Sequence, residues 1–202
     1  MKYPIFASFV IFCLVIRHAL RRSRRISENS EENFWDRENR ANATRRKPLD
    51  DLEYVKVALE ELPTDCFLTD EVVSDCIRLV TELSEKKIVN LTGYSNTDLK
   101  LKYGVPNLPE LMEYDSSYTL LVQTLQKWAD RLWENGYTEE AVRIMEYEVK
   151  IRADVGTAYR KLAAYYRSHG TPEKVEELIA VAEGLRSASK NHILRSLKEE
   201  DS

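Results

Sequence analysis

Three histidines and three cysteines are all the chain offers as imidazole or thiol chemistry. His18 follows an apolar N-terminal run, His169 falls at a turn, and His192 sits on a polar helix near the C-terminus, so spacing does not gather them into a set. Cys13, Cys66 and Cys76 are odd in number and contain no C-x-x-C pair, which fits neither a disulfide framework nor a zinc site. Cys76 shares a helical apolar stripe with Val72, Val73, Ile77, Val80 and Leu83, the setting of a core thiol. The acidic pairs Glu60–Glu61, Glu139–Glu140 and Glu199–Glu200 are neighbours in sequence, so on a helix they point apart and act as solvated faces. No phosphate-binding glycine loop, nucleophile elbow or H-E-x-x-H zinc motif is present. The expectation is a protein that is not an enzyme, with no cofactor, no metal and no small-molecule substrate.

The elements around these residues explain why. The chain has 202 residues, 43% hydrophobic and 32% charged, which excludes a wholly disordered chain. Its net charge of −4 hides an asymmetry. Residues 1–48 carry 11 Lys/Arg against 5 Asp/Glu, and the rest carries 19 against 29. An acidic body argues against nucleic acid as a partner, because phosphate binding needs a basic face.

Tyr3 to Ile16 is an uncharged run of 14 residues. With its flanks, residues 1–20, it reaches about the 20 residues a spanning helix needs, provided the terminal cations snorkel. A cleaved signal peptide would carry its positive charge before the run and small residues after it. Here one Lys precedes the run, Arg17, Arg21, Arg22, Arg24 and Arg25 follow it, and no A-x-A site is present. An uncleaved single-pass anchor is therefore expected, with a cleaved signal or a soluble helix as alternatives. The arginines place the body on the cytoplasmic side, and Arg17–Arg25 would attract anionic lipid. The Asn-x-Thr triplets at Asn42 and Asn90 would be glycosylation acceptors only in an exported body.

Residues 21–47 read as a basic and polar linker, with 26–47 a flexible tether containing only Phe34 and Trp35 as large apolar side chains. Residues 48–121 read as a helical part with an irregular connector. Leu49, Leu52, Val55, Leu59 and Leu62 recur at helical spacing, which predicts a helix over 49–62 stopped by Pro63. Thr69 is the expected cap of a second helix over 70–87, and a short helix near Thr97–Tyr103 should end at Gly104. Nothing alternates as a strand would, so the fold class is all-α, preceded by a transmembrane helix.

The last part, 122–202, repeats itself. A shift of 34 residues places Ala129 on Ala163, Gly136 on Gly170 and Glu139 on Glu173, and it matches Leu125 with Tyr159, Trp128 with Leu162, Leu132 with Tyr166, Ala141 with Val175 and Met145 with Ile179. This resembles the tetratricopeptide repeat, a helix–turn–helix unit of 34 residues, with copies at 122–155 and 156–189. The chain departs from that pattern where Ala153 and Ser187 stand at the usual terminal proline, and where Glu148 replaces a small residue that Ala182 keeps. A generic array of helical hairpins is the alternative. Lys190–Glu200 reads as a polar capping helix with Ile193, Leu194 and Leu197 turned inward.

The resemblance implies a helical-repeat solenoid whose first helices line a concave groove for a peptide or another helix. By register that face carries Gln123, Gln126, Asp130, Trp133 and Glu134, then Thr157, Arg160, Ala164 and Arg167. Gln126, Asp130, Trp133, Arg160 and Arg167 are the candidate protein-binding residues. Gln126 and Asp130 stand where chaperone-tail clamps use Lys and Asn, so that ligand is not implied. The reading is an anchored, non-catalytic adaptor or scaffold holding a protein or peptide partner. Alternatives are a structural subunit of a membrane complex and an exported helical-repeat binding protein.

Overall fold

The computed structural model describes Ile16 and residues 33–199. These divide into two compact units, one made of 33–47 with Ser95–Leu108, the other of 48–94 with 109–199. The expected membrane segment, residues 1–20, lies outside the described residues apart from Ile16. No helix among the described residues is long and apolar enough to cross a membrane.

In the first unit, residues 33–42 form a helix (α1) where the sequence predicts a flexible tether. The charges that read as solvated are matched to α3, Asn96–Tyr103. Arg37 pairs with Asp98 at 2.5 Å, Glu38 accepts from the Thr97 hydroxyl at 2.7 Å and pairs with Lys100, and Lys100 also donates to Asn42. Long-range complementarity of this kind leaves no mark on a local composition. Ser95 and Asp98 cap α3 reciprocally. Hydrogen bonds from the Ser95 hydroxyl and N–H, followed by Arg37, hold the Asp98 carboxyl down at about 2. The helix ends at Gly104 as expected, with φ of +89°. A Cβ there would lie 2.1 Å from the Arg45 carbonyl oxygen. Gly104→Ala is therefore expected to cost this unit at least about 1–2 kcal/mol. Hydrogen exchange should show protection lost over residues 33–47 while the other unit is unchanged.

In the second unit the helix expected over 49–62 is absent. Tyr54 bridges Val89, Val55 N–H donates to the Ile88 carbonyl at 2.9 Å, and only Leu59–Glu61 makes a short 3₁₀ turn. The Tyr147 hydroxyl fixes this extended stretch, donating to the Lys56 carbonyl and accepting from Ala58 N–H, each at 3.1 Å. Val55 and Val57 favour extended backbone, and nonlocal hydrogen bonds override a helical spacing that spans too few turns. The second helix, α2, spans Glu71–Ser84 and is capped by Asp70 rather than Thr69. The Asp70 carboxylate accepts from Val73 N–H at 3.1 Å, a stronger capping bond than a hydroxyl gives.

The long helix α4, Leu108–Glu134, begins well before the first repeat position at 122. Leu111, Tyr114, Tyr118, Leu121, Leu125, Trp128 and Leu132 alternate at spacings of three and four and are all buried, which sustains one continuous apolar seam. After it come α5 (Thr138–Lys150), α6 (Gly156–Ser168), α7 (Glu173–Glu183) and α8 (Lys190–Glu199). The described residues are thus all-helical, with an isolated bridge and no strand. The starts of α6 and α8 are 34 residues apart, so α8 occupies the next position of the same period. Ile193 and Leu197 are fully buried and Leu194 is half-buried.

The turns repeat as well. After α4, Gly136 N–H bonds to the Trp133 carbonyl and Tyr137 N–H to that of Leu132; after α6, Gly170 bonds to Arg167 and Thr171 to Tyr166. Both are Schellman closures, and both glycines have positive φ, +85° and +70°. Ala129, Ala141 and Ala163 are buried where helices approach closely. Ala163→Leu is expected to overpack that contact and to cost roughly 1–3 kcal/mol in denaturant melts.

Candidate functional site

The face of α4 assigned to ligand lines a real groove. Val122, Gln123, Gln126, Lys127, Asp130, Arg131 and Glu134 from α4, with Val72 of α2 and Val155 before α6, enclose about 590 Å³. The walls are tied together. Arg131 Nε and Nη2 reach Asp70 Oδ2 at 3.0 and 2.7 Å, so one carboxylate both caps α2 and clasps α4. Arg131 first, then the Val73 N–H, holds the Asp70 carboxyl below its ordinary value. On the other side Lys161 Nζ bonds Asp130 Oδ1 at 2.7 Å, and the Thr157 hydroxyl donates to Gln126 Oε1 at 3.3 Å. These bonds join α4 to α6 along the groove.

Of the candidate residues, Gln126 and Asp130 line the groove and the others lie elsewhere. Trp133 is half-buried against the core, with Lys161 Nζ 5.2 Å above its ring. Arg160 is exposed on α6, and Arg167 donates to the Leu197 carbonyl at 2.7 Å, which engages it with the end of α8. Val72, Lys127, Arg131 and Val155 were not among the sequence candidates. Val72 carried a signal in the α2 stripe, but only the fold reveals that α2 forms the opposite wall.

Burial leaves several side-chain polar groups unmatched among the described residues: Gln126 Nε2, Trp128 Nε1, the Tyr159 hydroxyl, Ser187 Oγ and the Glu148 carboxylate. Glu148 is 1% exposed, and neither carboxylate oxygen has a partner there. Burial, followed by the Asp130 carboxylate, pushes the Glu148 carboxyl up to about 8, while Lys161 pulls the other way. Glu148 is the residue that replaces a small one in the repeat pattern. Among the described residues the thiols are not activated, since burial raises both Cys66 and Cys76 above their ordinary values.

No family model matches the sequence, and no curated protein or solved structure matches it either.

Proposed function

We propose that the protein is a non-catalytic adaptor that holds a peptide or helical segment of a partner protein in the α2–α4 groove. The helices behind that groove act as a short solenoid resembling tetratricopeptide repeats, and residues 1–20 anchor the chain in a membrane with the body cytoplasmic. The carrying observation is a groove with apolar side chains on both walls, Val72 of α2 facing the α4 side lined by Val122 and Gln126. Val72, Val122 and Val155 supply apolar contact on either side, and Lys127 and Glu134 offer charges of both signs at the rim. Anchoring adds a high local concentration of whatever the groove holds.

The test is detergent co-purification of the wild type beside Gln126→Arg, Lys127→Glu and Arg160→Glu, each first shown to melt as the parent does. A partner lost with the two groove variants and kept with Arg160→Glu supports the reading. Retention with all three rules out the groove. Alkaline carbonate extraction and protease added outside intact cells test the anchor and its topology separately.

A further inference from the structure

We infer that a second, basic pocket at the end of α5 binds a small phosphate-type oxyanion, independently of the groove. The pocket encloses about 340 Å³, and its charged lining consists of Lys56, Lys150, Arg152 and Arg186 against Glu53 and Asp154, with Lys150 itself paired to Glu61 at 2.5 Å. A positive lining is unexpected here, because residues 49–202 carry 29 acidic and 19 basic side chains. Among the described residues, the pocket's three cations without an ion-pair partner still outnumber its two carboxylates, an excess that a bound anion would balance.

Arg152 carries the inference furthest. It follows the end of α5, where Arg152 N–H bonds to the Val149 carbonyl and Ala153 N–H to that of Glu148, both at 2.9 Å. This is the same Schellman closure that Gly136 and Gly170 make, yet the left-handed position holds an arginine with φ of +60°. A residue with a Cβ is strained there, and glycine is not. The strained backbone is pinned, because Asn90 Nδ2 donates to the Arg152 carbonyl at 3.3 Å and to the Tyr118 hydroxyl at 2.8 Å. The chain thus keeps a cation at the one turn of the three where the side chain lines a pocket. Neither Arg152 nor Lys56 has an ion-pair or hydrogen-bond partner for its side chain among the described residues.

The rest of the lining is pre-set. Arg186 Nη1 donates to the Tyr94 hydroxyl at 2.7 Å, and its guanidinium lies 5.1 Å above the Tyr94 ring. Gly93, at φ of +87°, lets this wall close, because a Cβ would come 2.8 Å from the Arg186 carbonyl oxygen. Ser187, whose Oγ is buried without a partner among the described residues, also stands in the lining. Lys56, Arg152 and Arg186, which have no ion-pair partner among the described residues, suit a dianionic phosphate, and the Glu53 and Asp154 carboxylates suit hydroxyl donors next to it. The ligand class is therefore a small phosphate monoester bearing hydroxyls, and its source is either a soluble metabolite or a lipid headgroup.

The full-length protein in detergent is titrated calorimetrically with ribose 5-phosphate and with short-chain phosphatidylinositol 4-phosphate, which both present a phosphomonoester beside free hydroxyls. Binding by either supports the pocket, and the tighter one identifies the source. Arg152→Gly should weaken binding about tenfold while raising Tm by about 2–4 °C, since it removes a charge and relieves strain together. A gain in stability alongside a loss of affinity excludes unfolding as the cause. Lys56→Gln should weaken binding comparably, and Lys86→Gln, an exposed cation outside the pocket, should not. The inference is overturned by undiminished affinity in Arg152→Gly, by equal weakening in Lys86→Gln, or by no heat from either probe at millimolar concentration.

Discussion

At pH 7.5 the Glu148→Gln variant is expected to be more stable than the parent by about 3–4 kcal/mol, and the advantage should vanish near pH 4.5. Glu148 is buried with both oxygens unpartnered among the described residues, and its folded-state value is pushed up to about 8 from 4.5. The folded state therefore holds a proton that the unfolded chain has released. For a raised value, the protonated group's contribution is fully present below the unfolded value and is lost as pH rises through the folded one. Each unit of separation is worth about 1.36 kcal/mol, and pH 7.5 lies three units above the unfolded value. Glutamine keeps the shape and cannot ionise. Denaturant melts of both proteins from pH 4.5 to 8.5 should give a difference that grows with pH and flattens above 8. A difference independent of pH would show that Glu148 stays ionised in the fold.

Trp128→Ala is expected to cost about 3–5 kcal/mol, and Trp133→Ala about 1 kcal/mol or less. The two indoles are five residues apart on α4, but Trp128 is fully buried in the core seam while Trp133 is half-buried beneath Lys161. Truncating the first leaves a cavity among packed helices, and truncating the second leaves a dent that solvent fills. Urea midpoints at constant m would measure both. Equal costs would mean that Trp133 carries core packing the structure does not give it.

The helices from α4 to α8 were legible because their period is local. Buried Leu125, Trp128, Tyr159 and Leu162 fall where a 34-residue shift places them, and Gly136 and Gly170 close the turns expected of them. Segments governed by distant partners misread. Leu49 to Leu62 carries helical spacing, yet its backbone hydrogen bonds are made with Ile88 and the Tyr147 hydroxyl, far along the chain. Residues 33–42 looked like linker because their charges find partners on α3, about 60 residues away. The groove was half legible. Register placed Gln126 and Asp130 on the face of α4 that lines the groove, but the opposite wall depends on Asp70 clasping Arg131, an ion pair that no periodicity announces. Arg152 gave no signal at all, since left-handed backbone is written in the sequence mainly where glycine or asparagine stands, and arginine is neither.

Photo-crosslinking is the most direct test of the proposal that the α2–α4 groove is the partner-binding surface. A benzophenone side chain is placed at Gln123, which lines the groove, and in a second protein at Glu176, exposed on α7. One adduct of defined mass is expected from position 123 in membranes, none from position 176, and loss of the first when Gln126→Arg is added. Equal adducts from both positions, or an adduct at 123 that survives Gln126→Arg, would contradict it.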